Sequence, residues 1–242
     1  MTVEVSTYEI FEKIKGNVLW KFNGGLVLTA VFGAAAFFTT LFKVYGVADL
    51  FIILTVQFLL YTVSYAGHYL LLATFGMLLL EWLKKGVKPD IIGKIGDIMG
   101  ALFVAVITIG LNFFVAIGLD QSVNNIITSL SVLNHVGINL NSPVVSEFIK
   151  RFVGWGGIIA IFNILIGDPE EIVKLISGKR TLREHWFRAD KFAILRKISK
   201  LLFFLAFGLP LIRGYKQFFM EVIPISGKLI KNTKRHECDI ER

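Results

Sequence analysis

The sequence predicts an all-α fold, a polytopic bundle of about four to five transmembrane helices with amphipathic helices at the N-terminus and on the cytoplasmic side. Two observations predict it. Hydrophobic residues fill 55% of the 242 positions and charged residues only 18%, against about 45–50% and about 25% in an ordinary soluble domain. The apolar residues also gather into charge-free runs long enough for a bilayer, whose hydrocarbon core takes about 20 helical residues. A water-soluble core of this size has no room for so much apolar surface, 22 phenylalanines included. The composition excludes a disordered chain, and the single cysteine, Cys238, excludes an intrachain disulfide.

The first 21 residues read as an amphipathic helix. Ser6 and Glu9 have the spacing of a capping box. Ile10, Phe11, Ile14 and Val18 share one helical face, and Glu9 and Lys13 stand at the i,i+4 spacing of an ion pair. The charges here do not fit a removable leader. The expectation is a helix lying on the membrane surface, with docking to a partner as the alternative.

The membrane bundle is expected over residues 22–167. Its first span runs Gly24–Phe42, between Lys21 and Lys43. The second occupies Leu50–Leu80, 31 residues without an acidic or Lys/Arg side chain. As one helix that is about 46 Å, longer than a bilayer core requires. No proline or Asn-Gly punctuates Ser64–Gly67, so one long helix is favoured over two short spans. The third runs Ile98–Leu119. The fourth, Pro143–Gly167, opens on Ser142-Pro143, a cap residue followed by proline at the first helical position. Glu147, Lys150 and Arg151 fall in its outer turns, where the two basic side chains are expected to snorkel. Residues 201–227 hold two short apolar pieces, Leu201–Ile212 and Phe218–Ile225, read as a re-entrant hairpin or a short kinked fifth span.

Lysine and arginine favour the cytoplasmic side of short loops. The loop Lys84–Asp97 carries Lys84, Lys85, Lys88 and Lys94. The segment 168–200 carries Lys179, Arg180, Arg183, Arg188, Lys191, Arg196, Lys197 and Lys200 as a basic face. The loop 120–142 carries no Lys or Arg and is rich in Asn, Ser and Thr. This asymmetry predicts that 84–97 and 168–200 face the cytoplasm of a cell membrane and 120–142 the outside. Within 168–200, Asp168-Pro169-Glu170-Glu171 is a helix start, Gly178 a stop, and Thr181–Glu184 a second capping box opening a basic helix toward Lys200. That helix is expected along the inner leaflet, or as a platform for an acidic protein or a nucleic acid. The polar tail 228–242 is basic too, which favours a hairpin over a fifth crossing.

Polar side chains inside spans are the best functional clues, because hydrocarbon offers them no partner. Gln57, Tyr61, Ser64, Tyr65 and His68 fall on one face of the second helix. They read as a polar stripe that either lines a path or bonds to neighbouring helices, with His68 as a proton-sensitive member. Asn112 and Asn163, in the third and fourth spans, are candidate partners for it. Gly96, Gly100, Gly154 and Gly157 are small residues suited to close helix packing. No P-loop, H-E-x-x-H or G-x-S-x-G is present, and the four histidines lie in different regions. No catalytic residue, metal site or cofactor is therefore expected.

These features predict a non-catalytic integral membrane subunit in the lipid bilayer, joined through its transmembrane helices into a homo- or hetero-oligomer. Such a subunit could serve as the membrane base or conduit of a translocation machine. In span pattern, long outer loop and basic inner face, the chain is similar in outline to polytopic channel subunits of type IV secretion and archaeal DNA-uptake systems. Alternatives are a small channel or carrier with its polar path along Gln57–His68, and a membrane enzyme acting on lipid.

Overall fold

A computed structural model describes residues 6–130, 142–166, 169–179 and 207–223. The chain is all-helical, with no strand among the described residues. The elements are α1 (Thr7–Leu41), α2 (Tyr45–Lys84), α3 (Pro89–Ile117), α4 (Leu119–Ser129), α5 (Pro143–Ile166) and α6 (Pro169–Ile176). A further helix, α7 (207–217), winds into a π-helical turn, Phe218–Val222. Among the described residues, three helices, α1, α2 and α3, are long and apolar enough to cross a membrane.

α1 opens on the expected capping box. Ser6 Oγ accepts from Glu9 N, and Glu9 Oε2 from Ser6 N, both at 3.2 Å. Because the Glu9 carboxylate is held there, the predicted Glu9–Lys13 pair does not form, and Lys15 instead reaches Glu12 at 3.4 Å. α1 does not break at Lys21: the amphipathic segment continues straight into the first apolar run. Its apolar side does not need lipid. Ile10, Phe11, Ile14 and Val18 pack on a cluster that includes Leu71, Leu72, Leu79 and Leu83 of α2 and Ile92 of α3.

α2 is one helix of 40 residues, about 60 Å long, as expected over two short spans. Gly67 sits where a bend was conceivable and serves packing instead: a Cβ there would lie 2.7 Å from Gly100 N of α3. The α1–α2 turn puts Lys43 at φ 60°, with Val44 N donating to Thr39 O at 2.9 Å. Gly118, at φ 102°, separates α3 from α4 in a conformation that side chains avoid. α4 occupies the first part of the predicted outer loop.

α5 starts as predicted, with Ser142 Oγ accepting from Val145 N at 3.2 Å. α6 begins at Pro169 and stops before Gly178, whose φ is 69°. The cap Asp168, residues Arg180 to Lys200 of the basic face, and the tail lie outside the described residues. A central cluster gathers Ile52, Val56 and Leu60 of α2, Val104 of α3 and Ala160 of α5. Another joins Val115 and Val153 to Leu211, Phe218 and Val222 of α7 and its turn.

Candidate functional site, a polar ladder through the bundle

Two charged layers mark the ends of the apolar bundle. Along α2 they are separated by the interval from Asp49 to Tyr65, sixteen residues or about 24 Å of helix. α1 is charge-free between Lys21 and Lys43, and α3 between Asp97 and Asp120.

At the first end, Glu170 of α6 is the hub. It accepts from Tyr65 Oη and from Lys21 Nζ at 3.1 Å, and pairs with Lys174 Nζ at 3.1 Å. Lys21 also donates to Tyr65 Oη at 2.8 Å. Burial pushes the Glu170 carboxyl up, but hydrogen bonds from Tyr65 and Lys174 and the charge and hydrogen bond of Lys21 outweigh it, leaving it at about 2. One turn further along α2, His68 stacks on Tyr65 with ring centroids 5.2 Å apart. Its Nδ1 faces Ser64 O and its Nε2 faces Asp97 Oδ1, each at 3.0 Å. Both partners are acceptors, so the imidazolium, with two N–H groups, satisfies both at once. His68 thus stands at the same charged end as Glu170, and α2 runs on past this layer.

The middle rung is a reciprocal amide pair. Gln57 Nε2 donates to Asn163 Oδ1 at 3.3 Å, and Asn163 Nδ2 donates to Gln57 Oε1 at 3.0 Å. Gln57 Nε2 also faces Pro169 O at 3.4 Å, at the start of α6. The predicted link between Asn163 and the α2 stripe is therefore formed. Asn112 takes a different partner: it donates to Thr108 O at 2.9 Å and accepts from Tyr215 Oη of α7 at 2.8 Å. Tyr61 makes no polar rung among the described residues; its ring lies 5.0 Å from that of Tyr65 and beside Gly25.

At the second end, Arg151 is 2% exposed. Its Nη1 donates to both Asp49 oxygens at 2.9 Å, its Nε to Glu147 Oε1 at 2.7 Å, and its Nη2 to Val222 O at 2.7 Å. The guanidinium also lies 4.2 Å from the Tyr45 ring centroid. Arg151 therefore does not snorkel as expected: two carboxylates, a carbonyl and a ring replace its water. Its neighbour Lys150 pairs with Asp120. The Glu147–Arg151 spacing was a readable i,i+4 pair, but Asp49 and Val222 come from distant sequence and left no local signal.

The small residues make the close approaches these rungs need. A Cβ at Gly96 would run into the His68 ring, and one at Gly100 would lie 2.9 Å from Ser64 Oγ. Gly154 takes the Phe218 ring and Gly157 the Tyr215 hydroxyl. All four glycines thus seat a specific side chain or backbone. Of the predicted basic face, Lys179 is described and is exposed.

α7 presents two unlike sides. Leu211, Gly214, Phe218 and Val222 are buried, whereas Leu209, Arg213, Lys216 and Met220 are exposed. No known protein family, curated protein or solved structure matches the chain, so function is read from this geometry.

Proposed function

We propose that the chain is a non-catalytic integral membrane subunit of an oligomeric assembly, with hydrocarbon between the two charged layers. The observation that carries this reading is the closure of the polar stripe. Gln57 is bonded to Asn163, Tyr65 to Glu170 and His68 to Asp97, so these groups join parts of one chain and leave no open polar path among the described residues. This supports their reading as interhelical bonds rather than as a channel within a single copy. Assembly is supported by the exposed side of α7, whose Arg213 and Lys216 form no salt bridge among the described residues. A membrane base or conduit for a translocation machine fits such a subunit, as does a cytoplasmic location for the Glu170 end, where the basic segment 168–200 begins. That segment would meet an acidic protein or a nucleic acid.

The test is cross-linking in native membranes, followed by mass measurement of the detergent-extracted particle. Several copies, or this chain with a stoichiometric partner, are expected. A lone monomer in both measurements contradicts the proposal.

A further inference from the structure

We infer that His68 and Asp97 form a proton-operated latch between α2 and α3, closed when both imidazole nitrogens carry a proton and slackened when one is lost. This rests on the proposed placement of the Glu170 layer at the limit of the hydrocarbon, and not on assembly into an oligomer.

The seat of the ring comes first. A Cβ at Gly96 would lie 3.0 Å from His68 Nε2, and one at Gly100 3.1 Å from Nδ1. The imidazole therefore lies directly on the α3 backbone. Tyr65 stacks on it, with centroids 5.2 Å apart and planes inclined by 29°. Turning the ring over would need room that these neighbours occupy. In this seat Nδ1 faces Ser64 O and Nε2 faces Asp97 Oδ1, each at 3.0 Å.

The chemistry of the two partners comes second. A backbone carbonyl and a carboxylate accept hydrogen bonds and do not donate them. The imidazolium donates to both. A neutral imidazole has one N–H, so either tautomer turns a lone pair toward an acceptor. Loss of the proton also reduces the ion pair across the α2–α3 seam to a hydrogen bond from a neutral group, roughly half as strong. Ser64 O is fixed in the α2 backbone, whereas the Asp97 side chain is 68% exposed and can turn to water. Asp97 is therefore the partner that lets go.

The surrounding charges come third. Lys21 of α1 and Lys174 of α6 each pair with Glu170 at 3.1 Å. Tyr65 joins them through its hydroxyl. On α3, Lys94 stands three residues before Asp97 and is exposed. Among the described residues the ion pair of Asp97 is with His68. Because the closed geometry holds the proton, the latch is present at low pH. It is lost as pH rises through the histidine range, between about pH 5 and about pH 8. Glu170, held at about 2, does not change charge in that range.

Distance measurements on the full chain in lipid vesicles test this. In a Cys238→Ser background, spin labels are placed at Thr74 of α2 and Lys94 of α3, both exposed, and compared at about pH 5 and about pH 8, the limits of the histidine range. The mean separation should lengthen by about 2 Å at the higher pH, the size of a helix shift, and its distribution should broaden. In His68→Gln, and separately in Asp97→Asn, the two distributions should coincide. One pH-independent distribution in the background chain overturns the latch, and that result needs neither variant to fold. A pH response that survives His68→Gln overturns it too, by assigning the proton to another histidine. Collision of the Lys94 label with a water-soluble nickel chelate reports on the placement separately. A label that meets oxygen instead contradicts the placement, whatever the distances do. A label that meets the chelate while the distances stay fixed removes the latch alone.

Discussion

Arg151 and Glu170 anchor opposite ends of the same bundle under different conditions. Arg151 is 2% exposed and shares four hydrogen bonds with Asp49, Glu147 and Val222. Glu170 has a side chain 28% exposed and takes its bonds from Tyr65, Lys21 and Lys174. The first is a knot around a buried guanidinium that ties the start of α2, the start of α5 and the end of α7. The second is a clasp that solvent reaches, holding α6 against α1 and α2. The clasp holds α6, the start of the basic segment, against the bundle, whereas the knot joins three helix ends.

Breaking the knot should do the most damage. Arg151→Met leaves Asp49 and Glu147 without their cation, and removing one partner of a buried pair costs about 3–5 kcal/mol. Thermal unfolding in detergent should show that loss, and adding Asp49→Asn should recover part of it. Full stability in Arg151→Met would mean that the knot is ornamental.

Packing beside the clasp comes next. Gly67→Val places a side chain against the backbone of Gly100, 2.7 Å from its nitrogen, and overpacking of this kind costs about 1–3 kcal/mol. Gly93→Ala, at a position with open space around it, should cost no more than ordinary surface substitutions in the same melt.

Glu170→Gln should cost about 1 kcal/mol, as expected for a partly exposed charged contact. The pH dependence sharpens the contrast with Arg151. The folded carboxyl is depressed from 4.5 to about 2, so its stabilising contribution is present above pH 4.5 and is lost as pH falls toward 2. Melting temperature followed through that window should drop further in the wild type than in Glu170→Gln. Identical profiles would remove Glu170 as the titrating group.

The smallest effect is expected at the middle rung. Gln57→Leu with Asn163→Leu removes the amide pair, and interhelical hydrogen bonds in membranes average about 0.6 kcal/mol. A double-mutant cycle measures it, and a coupling near zero would reduce the pair to neighbours.

The helices were legible because their signals are local. The charge-free runs, the Ser6–Glu9 box, Pro143, Pro169 and Gly178 each act within a few residues, and each appears where it was read. What joins the helices was not legible. Periodicity sets Gln57, Tyr65 and His68 on one face, but it fixes neither the rotation nor the height of neighbouring helices. Asn163 therefore met the stripe while Asn112 turned to Tyr215, a residue with no signal of its own. Arg151 was read as a snorkelling side chain because its main acceptor, Asp49, lies 102 residues away. His68 meets Asp97, 29 residues away on α3, a pairing with no local signal either.

In the proposed membrane placement, the two charged layers are the limits of the hydrocarbon. Spin labels at Val31, on the exposed side of α1 between Lys21 and Lys43, and at Thr74, nine residues beyond Tyr65 and also exposed, test this in lipid bilayers. Collision with oxygen should dominate at Val31, and collision with a water-soluble nickel chelate at Thr74. Oxygen dominance of equal strength at both would extend the hydrocarbon past Glu170 and His68 and contradict the account.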